Sequence, residues 1–329
     1  MKPGAEGLER GDLHRLLRGY CVPALAAGLV TSFYNIVDQI FIGRALGVVG
    51  NAAAGVVFPA VTVITALSLM CGVGAAAVMS LALGRGDVEG ARRGAGCGFV
   101  LMALCGGAAS LAMLCLTAPL LRLFGCTETV LPYAAPYARI TALAFVCAMT
   151  GAAGPFLLRA DGSPKYALCC TAAGALLNVA LDALFISACG WGIAGAAWAT
   201  AASQTVSAVL LSAHFLLGMS KVRLRARLVR PWRPLVRRIF VMGASPFGVQ
   251  IATAVTMILY NWQSLAYGGD IGVAAYAVVG YIVPVGVMLE EGIAEGIQPL
   301  ISYYHGASLG ARRRLTARLG FTTARSVGA

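Results

Sequence analysis

The chain has 329 residues, of which 59% are hydrophobic and 12% charged, with a mean hydropathy of +0.81 and a formal charge of +12. A soluble domain carries roughly 25% charged residues, so most of this surface does not face water. The composition points to a polytopic membrane protein and away from a soluble enzyme.

A helix that crosses a bilayer needs about 20 mainly apolar residues. Eight such stretches follow in chain order: 20–42, 51–83, 95–120, 133–158, 167–189, 193–217, 239–267 and 272–304. The connections are short, as in a helical bundle. The expected fold is therefore all-α and polytopic, with about eight transmembrane helices. Residues 1–18 are polar and the first apolar run is long enough to stay in the membrane, so no cleaved leader is expected. The 10 cysteines fall mostly within apolar runs without metal-type spacing and read as small core residues.

Basic residues set the expected orientation. With the N-terminus inside, 22 of the 25 Lys and Arg residues fall on inner segments, and only Arg44, Arg122 and Arg139 lie on or near the other side. This bias accounts for the net charge, because inner loops meet anionic lipid. The stretch KVRLRARLVRPWRPLVRR (221–238) lies between two spans, so no nucleic-acid partner is expected. The expected setting is a plasma membrane, with the N-terminus in the cytoplasm.

An internal repeat divides the chain. The shift that carries Gly84 onto Gly306 also carries Gly47 onto Gly269, Gly50 onto Gly272, Gly74 onto Gly296, Ser80 onto Ser302 and Arg92 onto Arg314, without a gap. Both copies run from an outer loop to a basic inner loop. Parallel repeats of this kind build transporters whose two bundles rock about a central site. The expected organisation is an amphipathic cytoplasmic segment (1–19), a six-helix lobe (20–218), a basic inner linker (219–238), and a partial second lobe of two helices (239–311). Residues 312–329 read as a basic tail or the start of a ninth helix. On this pattern some four spans of the second repeat lie outside the chain.

Polar residues inside the spans are the candidate site. YNIVDQIFIG places Asp38 within span one, and LLNVALDALFI places Asn178 and Asp182 one turn apart on span five. Thr200, in GIAGAAWATAASQ on span six, falls at a similar depth to Asp182 across the turn near Gly190 and Trp191. A charge in hydrocarbon costs about 3 kcal/mol or more, which argues for function rather than glue at the aspartates. Two carboxylates, an amide and a hydroxyl suit a hard cation such as Na+. A carboxylate pair can hold a proton instead. A second set, Glu291, Glu295 and Gln298 on span eight, reads as a further proton site, a substrate-facing vestibule or a wet cavity wall. The histidines receive no role.

The stretches FYNIVDQIFIGRALG, LGRGD, LLRADGSPKYA, NVALDALFI, GWGIAGAAWAT and GIQPLISYYHGA resemble the multidrug and toxic compound extrusion (MATE) transporters, in their bacterial DinF/MepA-like branch. The likeness runs from Leu13 to about Arg314. It implies two six-span lobes, exchange of H+ or Na+ for amphipathic or cationic small molecules, and a cation site in the N-terminal lobe. Carried over residue by residue, that site is Asp38, Asn178, Asp182 and Thr200. The departure is length, since the family has twelve spans. Rival readings are a lipid-linked oligosaccharide flippase of the wider superfamily, an inactive transporter fragment, and an intramembrane prenyl-transfer enzyme. The last would need aspartate-rich clusters that this chain does not have, so no enzyme and no cofactor beyond the coupling ion are expected.

Overall fold

A computed structural model describes residues 5–124, 126, 128–224 and 232–328. The middle of the basic linker, 225–231, lies outside the described residues. The fold is all-helical, in the order α1 (Ala5–Arg10), α2 (Leu13–Gly84), α3 (Val88–Cys115), α4 (Thr117–Leu123), α5 (Leu131–Leu143), α6 (Phe145–Ala160), α7 (Pro164–Asp182), a π-helical turn (Ala183–Ala188), α8 (Gly192–Leu216), α9 (Arg233–Gly306) and α10 (Gly310–Gly328).

The elements carry the expected spans with three refinements. Spans one and two are halves of the 72-residue α2, and spans seven and eight are halves of the 74-residue α9. Each half doubles back, because both ends of α2 reach one place. Leu83 packs on the cluster of Leu8, Leu13, Tyr20, Leu300, Tyr303 and Tyr304. Span four is broken at Ala144, where α5 and α6 meet at 58°. Span five ends in a π-helix rather than an α-helix. Among the described residues, four helices are long and apolar enough to cross a membrane, or five counting the bent pair.

Large apolar side chains face outward along these helices: Leu29, Phe33, Leu104, Leu111, Leu176 and Val209 are all exposed. In water such a surface would aggregate; in lipid it is the solvated face. The interior is built from small residues, which let helix backbones approach closely. A methyl group on Gly174 would fall on Ser207 Oγ, and one on Gly72 on Ala153.

The two motif turns at the basic end are structural. In LGRGD, Gly86 takes φ 73° and Asp87 caps α3 by accepting from Gly90 N at 2.7 Å. In LRADGSP, Gly162 takes φ 81° and Pro164 opens α7. Asp161 is buried here. It receives Ser220 Oγ at 2.7 Å and Lys221 N at 3.0 Å, and its other oxygen lies 2.9 Å from His214 Nε2. His214, which sequence reasoning left without a role, thus helps tie the start of the linker to the six-helix lobe. Asp161→Ala strands these donors, and each buried unsatisfied group costs about 1–3 kcal/mol. The variant is expected to melt several degrees lower in detergent. A wild-type melting midpoint would rule out this anchor.

The repeat seen in sequence is a repeat in space. Gly84 packs against Tyr303, and Gly306 packs against Leu81; one shift turns the first contact into the second. Two seams join the lobes. In one, Met70 and Gly74 of α2 meet Gly243 and Ile239 of α9; in the other, Gly292 and Gly296 of α9 meet Leu25 and Cys21 of α2. Met70 and Gly74 carry onto Gly292 and Gly296, so the seams are repeat-equivalent. Arg312 clamps the N-terminal segment below them, donating to Leu8 O at 2.8 Å and Gly11 O at 2.7 Å.

Candidate functional site

The site forms where α2, α5, α7 and α8 meet inside the six-helix lobe. Tight packing of α7 on α8 sets the register: Gly174 lies at Ser207, and Gly195 lies against Phe185. Beyond them Gly190 and Gly192, both at positive φ, turn the chain, and Phe185 stacks on Trp191 at 4.9 Å. This register brings Asn178 to Thr200, with Nδ2 donating to Oγ1 at 3.5 Å. Asp182 is the last residue of α7, and the π-helix begins at the next residue. π-Helical insertions accumulate at functional sites.

Asp182 is fully buried and Asn178 is 1% exposed. Neither Asp182 oxygen receives a hydrogen bond from a nitrogen or hydroxyl among the described residues, and Asn178 Oδ1 also has no donor. The charged neighbour Asp182 does meet is a second carboxyl group, Asp38, close enough to share a proton. Two like charges about 4 Å apart repel by about 4 kcal/mol at an effective dielectric constant of about 20. Burial adds to that cost. A buried pair of carboxyl groups beside an amide oxygen with no donor among the described residues suits a positive charge.

Three residues join the four named from sequence. Tyr34 lies one turn before Asp38 on α2 and hydrogen-bonds Gln204. Gln204 lies one turn after Thr200 on α8. Buried Tyr137 of α5 is in electrostatic range of Asp38, Asp182 and Tyr34. The i, i+4 spacing was a legible signal for Tyr34 and Gln204. Nothing in sequence marks Tyr137, which reaches the site only because α5 packs on α8 and α2. Among the described residues no three His, Cys, Asp or Glu side chains gather as a metal-gripping cluster.

The span-eight set does not join this site. Glu295 lies level with Cys21, whose neighbour across the seam is Gly296. Asp38 is farther along α2 by about 25 Å at 1.5 Å per residue. Glu295 Oε2 instead accepts from Arg159 Nη2 at 2.8 Å. Glu291 is exposed one turn away, and Gln298 Oε1 is buried without a hydrogen-bond partner among the described residues, beside a cavity of about 400 Å³ lined by Val73, Ser302 and His305.

Comparison with known proteins matches this architecture. The MatE family model aligns with residues 23–184, which include Asp38, Asn178 and Asp182. The multidrug export protein MepA of Staphylococcus aureus is 24% identical over 317 residues, covering 92% of this chain and 67% of its own. A solved MOP superfamily transporter from Pyrococcus furiosus superposes with a TM-score of 0.92 at 25% identity, over 99% of this chain and 72% of that one. An outward-facing multidrug resistance MATE transporter of the same superfamily gives the same values. With its helix order, its repeat-equivalent seams and these likenesses, this multi-pass membrane chain has the fold of the MATE transporters and is similar to that family over its site-bearing lobe.

Proposed function

We propose that the chain carries the ion-coupling lobe of an antiporter that exports amphipathic or cationic small molecules in exchange for H+ or Na+. The observation that carries this reading is Asp182: fully buried, without an N–H or hydroxyl donor among the described residues, and facing a second carboxyl group. Asp38 and Asp182 would take up the coupling cation, with Asn178 Oδ1 and Thr200 Oγ1 as neutral oxygen donors. The basic end of the bundle would face the cytoplasm, as its lysines and arginines favour.

The cycle follows from charge. With the cation bound, the carboxylates no longer repel, and the α2 segment around Asp38 can pack more closely on α7. Substrate leaves outward from the space between the lobes. When the cation departs to the inside, repulsion returns and the segment relaxes. The coupling ion drives transport only by binding one state better than the other.

The test is ethidium efflux from proteoliposomes under an imposed H+ or Na+ gradient. It is run on this chain and on a fusion that adds the second-lobe spans of a MATE relative. Gradient-driven release by either form is the expected result, and the ion that drives it names the coupling. Release by the fusion alone would assign transport to the two-lobe assembly. Release independent of both gradients, or none from either form, would overturn the proposal and favour a lipid substrate.

A further inference from the structure

The two seams meet at the basic end, and among the described residues one ion pair crosses between the lobes there. Arg159 ends α6 of the six-helix lobe, and its guanidinium lies 4.6 Å over the Phe156 ring of the same helix. Its partner Glu295 belongs to α9, in the second lobe, at 2.8 Å. The arginine side chain is 3% exposed and the glutamate 33%. Arg159 is thus held by its own lobe and reaches across to the other.

The pair is no product of the repeat. The shift that carries Gly74 onto Gly296 carries Val73 onto Glu295, so the equivalent position of the first repeat is apolar. The glycine seams occur twice, whereas the glutamate is an addition on one side. Beside it the seam is shut. A methyl group on Gly296 would stand 2.6 Å from Cys21 Cα, and Cys21 Sγ lies 3.9 Å from Ile293 O of the facing lobe. Here the two lobes are in direct backbone contact.

We propose that Arg159 and Glu295 form the charged latch of the cytoplasmic gate: paired while the basic end is shut, and separated when the lobes part there. This rests on the alternating-access reading above. With Arg159 buried and Glu295 partly exposed, parting the pair must hydrate the arginine or leave its charge buried alone. Arg159 and Glu295 are positioning residues, since neither touches the cation site. They set how long each half of the cycle lasts.

Cys21 is a native reporter of that gate. Inside-out membrane vesicles bearing the chain are treated with a membrane-impermeant maleimide, and modification of Cys21 is followed by peptide mass spectrometry. Wild type is expected to react slowly. Glu295→Gln is expected to react about tenfold faster, as for a tenfold shift toward the open state. The charge-swapped double variant R159E/E295R is expected to return close to the wild-type rate. Glu295→Asp, which keeps the charge, covers the case in which the swap does not fold, and is expected to stay slow. Glu295→Gln reacting at the wild-type rate, or Gln and Asp variants reacting alike, would overturn the latch. The readout needs no transport, so an absence of ethidium efflux would sink the antiport reading without touching this result.

Discussion

Asp182→Asn is expected to abolish gradient-driven ethidium efflux, in whichever form of the protein transports, while leaving the fold intact. The substitution is nearly isosteric and removes one of two facing carboxyl groups from a fully buried position. The amide cannot take a proton, and it weakens the site for any cation. It also removes like-charge repulsion, so thermal stability should hold or rise. Efflux should fall by more than about tenfold, the loss produced by roughly 1.4 kcal/mol of differential cation binding. Asp38→Asn should do the same. The double variant should be little worse than either single one, because groups that act as a unit are not additive. Wild-type efflux by Asp182→Asn would remove the aspartate pair from the mechanism. Loss of both efflux and expression would assign Asp182 a structural role.

Much of this arrangement was legible before any coordinates. The gap-free shift from Gly84 to Gly306 and the placing of Asn178 and Asp182 opposite Thr200 to within one helical turn rest on one-dimensional regularities: repeat period and helix rise. The structure adds what no period encodes. Asn178, rather than Asp182, is the residue that bonds Thr200, because Gly174 and Gly195 fix the α7–α8 register by close approach. Tyr137 enters the site through helix packing between segments far apart in sequence. Glu295 read as an acid in search of a proton or substrate, because its arginine lies on another helix 136 positions away. His214 was unreadable for the same reason: its partner Asp161 sits in a turn 53 positions earlier. Long-range pairing of charges is decided by the fold, and local sequence carries no trace of it.

Gly243→Ala is expected to be among the most disruptive single methyl groups at the described glycines. Gly243 is buried in the seam between α9 and α2, and an added Cβ would fall on the Met70 carbonyl and its attached carbon. Those atoms are backbone within a helix and have no rotamer by which to move aside. Overpacking of this kind costs about 1–3 kcal/mol. The seam lies between two lobes, so the strain has a release that a single-body core does not offer: parting at the basic end. Gly243→Ala should therefore speed modification of Cys21, as Glu295→Gln does, and lower efflux by holding the lobes apart there. Gly248, one turn and a residue farther along the same helix, has nothing within 4 Å of its would-be Cβ. There Gly→Ala should be silent or stabilising by up to about 1 kcal/mol, the intrinsic helix preference for alanine. Equal effects at the two glycines would mean that helix propensity, and not the seam, governs both. A slow Cys21 in Gly243→Ala, with the protein folded, would mean that the lobes absorb the methyl group without opening, and that the glycine seam is not what shuts the basic end.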